Sequence, residues 1–182
     1  MSDVELLNRA RTGDAGAFSA LVDRHAGAVW NYLYRFMPAR ADREDLLQDV
    51  LVKAWLRLNS YDPGRGEFRT WLLRLAATTS LDELKHRRRE RTRIESYAGT
   101  VEKVTTPTDG SAASPGCEEI RAALESLSDT ERQVVVLSFY HDLSMPRIAA
   151  LLDIPLGTIK SRMRSALARL RERTPILKAG DL

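Results

Sequence analysis

The chain has 182 residues, of which 43% are hydrophobic and 29% are charged. This size fits one or two small domains and excludes a large multidomain enzyme. A single cysteine, Cys117, excludes an internal disulfide framework and cannot form a thiolate metal site alone. The formal net charge of +3 is too small to indicate a nucleic-acid partner by itself, so the distribution of charge along the chain is more informative.

Residues 1–95 are predicted to form a series of amphipathic helices. Apolar residues recur every three or four positions from Phe18 to Phe36, after the candidate N-cap Asp14. A second helix is predicted around Leu47 to Leu58, where a Pro-Gly turn ends it. A third helix begins near Phe68. No alternating pattern typical of strands is present, so the first zone is predicted to be all helical.

Residues 96–117 differ in composition from the zones on either side. They are rich in Thr, Ser, Gly, Pro and Ala and offer little apolar surface to offset the entropy of ordering. We therefore predict a flexible linker, whose final residue is Cys117, interpreted as incidental rather than as a redox sensor. The expected fold class is all-α, with two small helical domains at 1–95 and 118–182.

The second domain carries a helix-turn-helix pattern. Ser128 and Glu131 form a capping-box signature, and Ser144 is placed to cap the next, short helix. A break at residues 153–157 precedes the last helix, which would enter the major groove of DNA. The apolar stripe of that helix must face the domain core. Its outward face then carries Lys160, Ser161, Arg164, Ser165, Ala168 and Arg171.

Two compact basic segments lie on opposite sides of the predicted linker. Residues Lys85–Arg93 contain six basic side chains and one acidic one, and Lys160–Arg173 has the same balance. Such segments are typical of proteins that contact separate stretches of phosphate backbone. The alternative is that each segment is a solvated helix face, which is less favoured when two occur together.

Other features favour a cytoplasmic protein without enzymatic activity. No secretory signal begins the chain, and no apolar run approaches the roughly 20 residues of a membrane span. The three histidines are far apart, and no Walker or dinucleotide glycine pattern occurs. We expect no catalytic residues, no cofactor, no metal and no membrane insertion. His25 falls on the apolar face of its helix and is interpreted as a packed core or boundary residue.

The residues themselves also carry a resemblance to a known family. The stretch Leu127–Glu172 resembles region four of bacterial sigma factors, especially the extracytoplasmic-function (ECF) group. Residues Asp42–Trp55 resemble region 2.2 of that family, and Phe68–Arg89 its melting and minus-ten reading segments. These resemblances cover most of both domains in the family's order. The region-four pattern is matched by Leu127, Arg132, Ile148, Ala149 and Gly157 through Arg162.

The resemblance implies a factor that binds core RNA polymerase and directs it to promoters. The acidic face of the second helix is implied to dock on the clamp helices of the beta-prime subunit, and its charge suits a basic protein partner. The second domain is implied to meet the beta flap and to read the minus-thirty-five element. The implied polymerase-binding residues are Asp42, Glu44, Asp45, Gln48 and Asp49. The implied minus-thirty-five residues are Thr158, Lys160, Ser161, Arg164, Ser165 and Arg171.

The loop at residues 61–67 occupies the place of the family's base-capturing loop. Promoter opening without ATP requires binding energy that offsets the unpairing and unstacking of bases. We interpret Phe68 and Trp71 as core residues rather than stacking platforms. The residues implied at the minus-ten element and the displaced strand are Arg65, Arg69, Arg74, Thr78, Lys85, Arg87 and Arg88.

The sequence departs from the family pattern at two informative positions, and two alternative functions stay open. Thr78 stands where the family often has Asn, and Ser165 where it frequently has Arg, so the base preferences at both promoter elements stay open. One alternative is a self-sufficient helix-turn-helix regulator. The other is a family member that binds polymerase without opening DNA. The family also makes an anti-sigma partner plausible, and we expect the free protein to be a monomer.

Overall fold

The computed structural model describes residues 1–98, 120 and 122–173, and the regular elements among them are all helical. The chain divides into two compact units, Met1–Glu83 and Leu84–Leu182. The prediction of an all-α fold is therefore confirmed for the described part of the chain. Residues 99–117 of the predicted linker, including Cys117, lie outside the described residues, whereas residues 96–98 are helical.

The first unit is built on four helices, the last of which continues beyond it. Asp14 was predicted to cap the second helix, and its Oδ1 accepts a hydrogen bond from the backbone N–H of Ala17 at 2.9 Å, as an N-cap does. Two 3₁₀ turns, Leu58–Ser60 and Pro63–Arg65, form the loop before the fourth helix. The helices are α1 (Asp3–Arg11), α2 (Ala15–Tyr34), α3 (Arg40–Leu56) and α4 (Phe68–Ala98).

Helix α1 was not predicted as a separate element, although its start carries a capping box. The Ser2 hydroxyl accepts from the Glu5 N–H at 3.3 Å, and the Ser2 N–H donates to Glu5 Oε2 at 2.6 Å. Leu6, Leu7 and Ala10 then form one buried stripe. Burial of this stripe holds α1 in the first unit, since a helix of nine residues is marginal in water by itself.

The core of the first unit is aliphatic, with aromatic residues beside it. The apolar stripe predicted for the second helix of the sequence pattern consisted of Leu47, Val50, Leu51, Ala54 and Leu58. Val50, Ala54 and Leu58 are buried as predicted, whereas Leu47 and Leu51 are half-buried and Leu46 is buried in addition. Side chains that α2 and α4 bury at 0% exposure are Leu21, Val29, Tyr32, Leu33, Leu72, Ala76, Ala77 and Ser80.

In the second unit, three helices form the helix-turn-helix and its support: α5 (Asp129–Phe139), α6 (Met145–Leu152) and α7 (Leu156–Arg173). Every residue from Glu131 to Leu137 is buried, so α5 is the central helix of this unit. The predicted capping box at Ser128 is confirmed. Ser144 stands at the predicted N-cap of α6 but makes no side-chain capping bond.

The turn between α6 and α7 depends on a left-handed backbone at Asp153, with φ 56°. Asp is one of the few non-glycine residues that adopt this conformation at low cost. The turn lets Ile148 and Leu151 of α6 meet Ile159 and Met163 of α7 in one buried cluster. The predicted helix-turn-helix is thus present.

None of the helices in the described segments is both long and apolar enough to span a bilayer. Within the same segments, no group of three or more His, Cys, Asp or Glu side chains is arranged to hold a metal ion.

Candidate functional site

Helix α3 exposes most of the predicted acidic face. Glu44, Asp45, Gln48 and Asp49 are exposed, whereas Asp42 is half-buried. The Nε of Arg40 donates to Glu44 Oε1 at 2.7 Å, an i,i+4 pair that partly neutralises one end of the face. The face is therefore accessible at Asp45, Gln48 and Asp49, and it is negative at the two aspartates.

An apolar extension of this face was missed by the sequence analysis. Val52 is 58% exposed and Leu56 is 75% exposed, and they follow Gln48 at steps of four residues. Their stripe continues the acidic face toward the end of α3. The sequence contains a signal that could have identified them, because steps of three and four residues from Asp45 reach both Val52 and Leu56.

Arg43 anchors the beginning of α3. Its side chain is buried, and Nη1 donates to the carbonyl of Met37 at 3.0 Å and to that of Pro38 at 2.6 Å. The guanidinium lies over the rings of Trp30, at 5.0 Å from the centroid, and Tyr34, at 4.8 Å. Both interactions fix the corner between α2 and α3. Sequence reasoning missed this role because Arg43 stands among exposed charged residues.

A cavity of about 510 Å³ lies beside the predicted base-capturing loop. Its walls come from α1, from the loop and from the start of α4. Phe68 is buried and Trp71 half-buried, which confirms the core interpretation for Phe68. Arg65 is exposed at the rim. The lining residues are Asp3, Val4, Leu7, Tyr61, Pro63, Gly64, Arg65, Gly66, Glu67 and Phe68.

Tyr61 and Arg11 hold the shape of this loop. The Tyr61 hydroxyl donates to the carbonyl of Gly66 at 2.8 Å, and Arg11 Nη2 donates to the Tyr61 carbonyl. The Tyr61 ring packs edge-on against Phe68, with centroids 5.4 Å apart. Gly66 has φ 153°, a backbone conformation that favours glycine. The side chains of Tyr61 and Arg11 therefore stabilise the conformation of the loop.

Asp3 places a carboxylate in the wall of the cavity. Arg24 Nη1 donates to Asp3 Oδ1 at 2.8 Å, and His25 Nε2 lies 2.7 Å from Asp3 Oδ2. Burial raises the pKa of Asp3, but the hydrogen bonds from His25 and Arg24 outweigh it, so the pKa lies below its ordinary value. Asp3 is thus a carboxylate at neutral pH. His25 is half-buried, as the boundary interpretation predicted.

The predicted minus-ten residues of α4 lie on more than one face. Arg74 and Thr78 are exposed, and their spacing of four residues places them on one face. Arg69 is half-buried and lies on a different face. The Thr78 hydroxyl donates back to the carbonyls of Arg74 and Leu75, at 3.1 Å each, so its hydrogen is used inside the helix.

Farther along α4, the basic segment is exposed at Lys85, Arg87 and Arg88. Lys85 and Arg88 are three residues apart and share a face, whereas Arg87 lies on another. The Nη2 of Arg88 is 2.9 Å from Asp129 Oδ2, within the second unit.

Helix α7 exposes a polar stripe of the expected composition. Lys160, Ser161, Arg164 and Arg171 are exposed, and Thr158 is half-buried. The spacings of three, four and seven residues among Lys160, Ser161, Arg164 and Arg171 place them on one side of the helix, opposite the buried stripe of Ile159 and Met163. Basic and hydroxyl side chains in this position suit phosphate and base-edge contacts.

Ser165 is oriented differently from the rest of the predicted set. It is half-buried, and its hydroxyl donates to Glu131 Oε1 at 2.5 Å. Glu131 also accepts from the Ser128 hydroxyl at 2.7 Å, and Arg169 Nη1 lies 3.4 Å from Oε2. Burial raises the pKa of Glu131, but the bonds from Ser165 and Ser128 and the charge of Arg169 lower it overall. This buried carboxylate ties α7 to α5.

A helical protein of two units that contains a helix-turn-helix belongs to the broad class of helix-turn-helix DNA-binding proteins. Comparisons with known proteins define the family within that class. Residues 21–90 match Sigma-70 region 2, and residues 123–172 match Sigma-70, region 4.

Relatives along nearly the whole chain agree with these matches. The ECF RNA polymerase sigma factor SigK of Mycolicibacterium vanbaalenii is 32% identical over 171 residues, which is 92% of this chain and 86% of the relative. SigW of Bacillus subtilis is 27% identical, over 91% of this chain and 93% of its own. The chain belongs to the family of ECF RNA polymerase sigma factors.

Solved structures show the same likeness. CnrH, solved in complex with the cytosolic domain of CnrY, has a TM-score of 0.67 and 27% identity, over 98% of this chain and 99% of its own. The sigma factor RpoE of Bartonella quintana, solved with the anti-sigma factor NepR, has a TM-score of 0.68 and 25% identity, over 90% of this chain and 98% of its own.

Proposed function

We propose that this chain binds core RNA polymerase and directs it to specific promoters, where it reads the minus-ten and minus-thirty-five elements and opens the duplex. The observation that carries the proposal is the accessible acidic face of α3 in a protein whose recognition helix, α7, exposes a basic face. One face suits a basic protein partner and the other suits DNA. The chain itself catalyses no reaction in this proposal, and it acts in the cytoplasm, where the polymerase works.

The proposed polymerase contact is made by α3 of the first unit. Asp45, Gln48 and Asp49 provide accessible negative and polar groups for basic residues on the beta-prime clamp helices. Val52 and Leu56 add apolar surface that a protein partner can bury. Asp42 and Glu44 contribute at the helix start. Arg43 holds this helix in place without taking part in the contact.

The proposed minus-ten contact is made by the loop cavity and by α4. The cavity of about 510 Å³ accommodates one base lifted from the stack, with Arg65 at its rim for a phosphate. Arg74 and Thr78 on one face, together with Arg69, Lys85, Arg87 and Arg88, follow the displaced strand in this proposal. Residues 1–95 thus act in core binding and duplex opening.

The proposed minus-thirty-five contact is made by α7. Lys160 and Arg164 are the exposed cations for base edges, and Thr158, Ser161 and Arg171 hold phosphates. Ser165 contributes from the edge of this set, where its oxygen can accept but its hydrogen is used by Glu131. Phe139 is 56% exposed at the end of α5 and supports a contact of residues 118–182 with the beta flap.

The likeness to RpoE, which was solved with an anti-sigma factor, supports a proposal that a partner of that kind holds this chain inactive. Capture of tagged, full-length protein from its native cell tests this. We expect the captured material to contain core polymerase subunits and one small additional protein that competes with them for binding to this chain. A free monomer in solution is expected without either partner.

Run-off transcription with purified core polymerase tests the main proposal. Promoter-dependent transcripts are expected only when the chain is added. Tight, specific promoter binding by the isolated chain, with no stimulation of the polymerase, would instead support the self-sufficient helix-turn-helix regulator.

One observation favours a second candidate function, a factor that binds polymerase and promoter without opening the duplex. The Thr78 hydroxyl is engaged within α4, whereas the family often has Asn at this position. Permanganate footprinting of bound promoter separates the two functions. Reactive thymines across the minus-ten element support opening, and a bound but unreactive promoter supports the second candidate.

A further inference from the structure

We propose that Asp3 makes the loop cavity selective for an unpaired base with an exocyclic amino group, and that thymine is therefore the base it rejects. The inference deepens the proposed function and rests on it, because it assigns chemistry to the cavity that receives the base. Asp3 belongs to α1, outside the residues 21–90 that match Sigma-70 region 2. Helix α1 thus becomes part of the DNA-reading site.

The carboxylate is in the right place for this role. Asp3 lines the cavity together with loop residues, and its side chain is 40% exposed. The charge of Asp3 also reaches the opposite wall, since burial raises the pKa of Tyr61 and the Asp3 carboxylate raises it further. The acceptor therefore faces the space between α1 and the loop.

The Asp3 carboxylate is also held in a fixed position by its neighbours. Arg24 donates to one oxygen and His25 lies within hydrogen-bond distance of the other. Each carboxylate oxygen can accept more than one hydrogen bond, so both retain capacity toward the cavity. Arg24 and His25 already fix the Asp3 side chain. Binding of a base therefore costs little free energy for ordering this side chain.

The chemistry of the bases then decides selectivity. An ionised carboxylate only accepts hydrogen bonds. Cytosine presents an amino group at position 4, where thymine presents a carbonyl oxygen that would repel the carboxylate. Adenine and guanine also carry amino groups. Arg11 and Tyr61 keep the loop wall in position against this carboxylate, so a thymine cannot be accommodated by a simple retreat of the loop.

Selection of open complexes from a randomised promoter library tests the proposal. Core polymerase is combined with the full-length chain, and the strands recovered in open complexes are sequenced across the minus-ten region. With the wild type, one non-template position should show thymine depleted about tenfold relative to cytosine, the lower end for one base-edge contact. A promoter with an unpaired uracil at that position should also fail, which shows that the carbonyl and not the methyl group is rejected.

Three variants make the result specific to Asp3. In Asp3→Asn, whose amide can donate to a carbonyl, the cytosine-to-thymine ratio at that position should fall to near one while other positions keep their preferences. Asp3→Glu retains the carboxylate and should keep the depletion. Asp23→Asn removes an exposed acid of α2 and should match the wild type.

The outcomes separate the inference from the proposed function. An unchanged depletion in Asp3→Asn, or a wild-type profile in which no position disfavours thymine, would overturn the role of Asp3 while leaving the sigma function intact. Enrichment of no sequence at all by wild-type holoenzyme would overturn the proposed function itself.

Discussion

Helices α3 and α7 share one arrangement of charged side chains, with the signs of the charges reversed. Each exposes one polar face, and each is anchored by a buried side chain of the opposite sign to that face. Arg43 fixes the acidic helix α3 through two backbone carbonyls. Glu131 fixes the basic helix α7 through Ser165 and Arg169. In the proposed function the exposed charge selects the partner of each helix, whereas the buried charge sets the position of the helix.

The largest effect is expected when the charge of the acidic face of α3 is reversed. Reversing charge in Asp45→Lys with Asp49→Lys should weaken association with core polymerase about a thousandfold, because two complementary contacts become repulsive. Fluorescence titration of labelled protein with core polymerase measures the change. Asp23→Lys, a reversal on an exposed position of α2, should change it little. Near-wild-type affinity of the double variant would remove the basis for assigning α3 to the polymerase.

The matching change on α7 should have a somewhat smaller effect. Lys160→Ala with Arg164→Ala should lower minus-thirty-five-dependent initiation about a hundredfold and reduce the salt dependence of promoter binding. The control Arg57→Ala removes an exposed cation from the first unit and should leave minus-thirty-five selectivity unchanged. Run-off assays on promoters with intact and scrambled minus-thirty-five elements make the measurement. Equal activity of variant and wild type on the intact promoter would mean that another face of α7 reads the DNA.

Periodicity and capping signals predicted much of this organisation. The helix-turn-helix, the Asp14 and Ser128 caps and the exposed face of α7 follow from local spacing, which short-range sequence reasoning captures. The contacts between residues that are far apart in the sequence cannot be predicted from local spacing. Ser165 and Glu131 are 34 residues apart, and Asp3 and His25 are 22 apart, so only the packing of helices brings them together.

Arg43 illustrates the same limit within a single helix. Its position in a run of charged residues predicts exposure, yet the segment between α2 and α3 offers it two carbonyls, and the end of α2 offers it two aromatic rings. Similarly, helical spacing placed Ser165 on the outward face, but Glu131 takes its hydroxyl. In both cases a specific long-range or corner contact overrides a pattern that is correct for its neighbours.

Removal of the α3 anchor tests whether a buried charge sets helix position. Arg43→Met keeps most of the side-chain volume but leaves two carbonyls without this donor, so the free energy of unfolding should fall by about 2–3 kcal/mol. Urea unfolding of the full-length chain measures it. Arg40→Met removes an exposed guanidinium from the same helix and should cost less than about 0.5 kcal/mol. Equal effects of the two substitutions would contradict the anchoring role.

The contribution of the α7 anchor to stability should depend on pH. Glu131 has a lowered pKa in the folded protein, so its ionised form stabilises the fold above the unfolded-state pKa near 4.5, and this contribution is lost as pH falls through the folded value. Glu131→Gln should lower the free energy of unfolding at pH 7 by about 1–2 kcal/mol, with a gap that narrows toward acid pH. Glu172→Gln, at an exposed position of the same unit, should show no such gap. Unfolding curves from pH 7 to pH 3 measure both variants. A gap that stayed constant across this range would mean that hydrogen-bond geometry, and not the charge of Glu131, holds α7 in place.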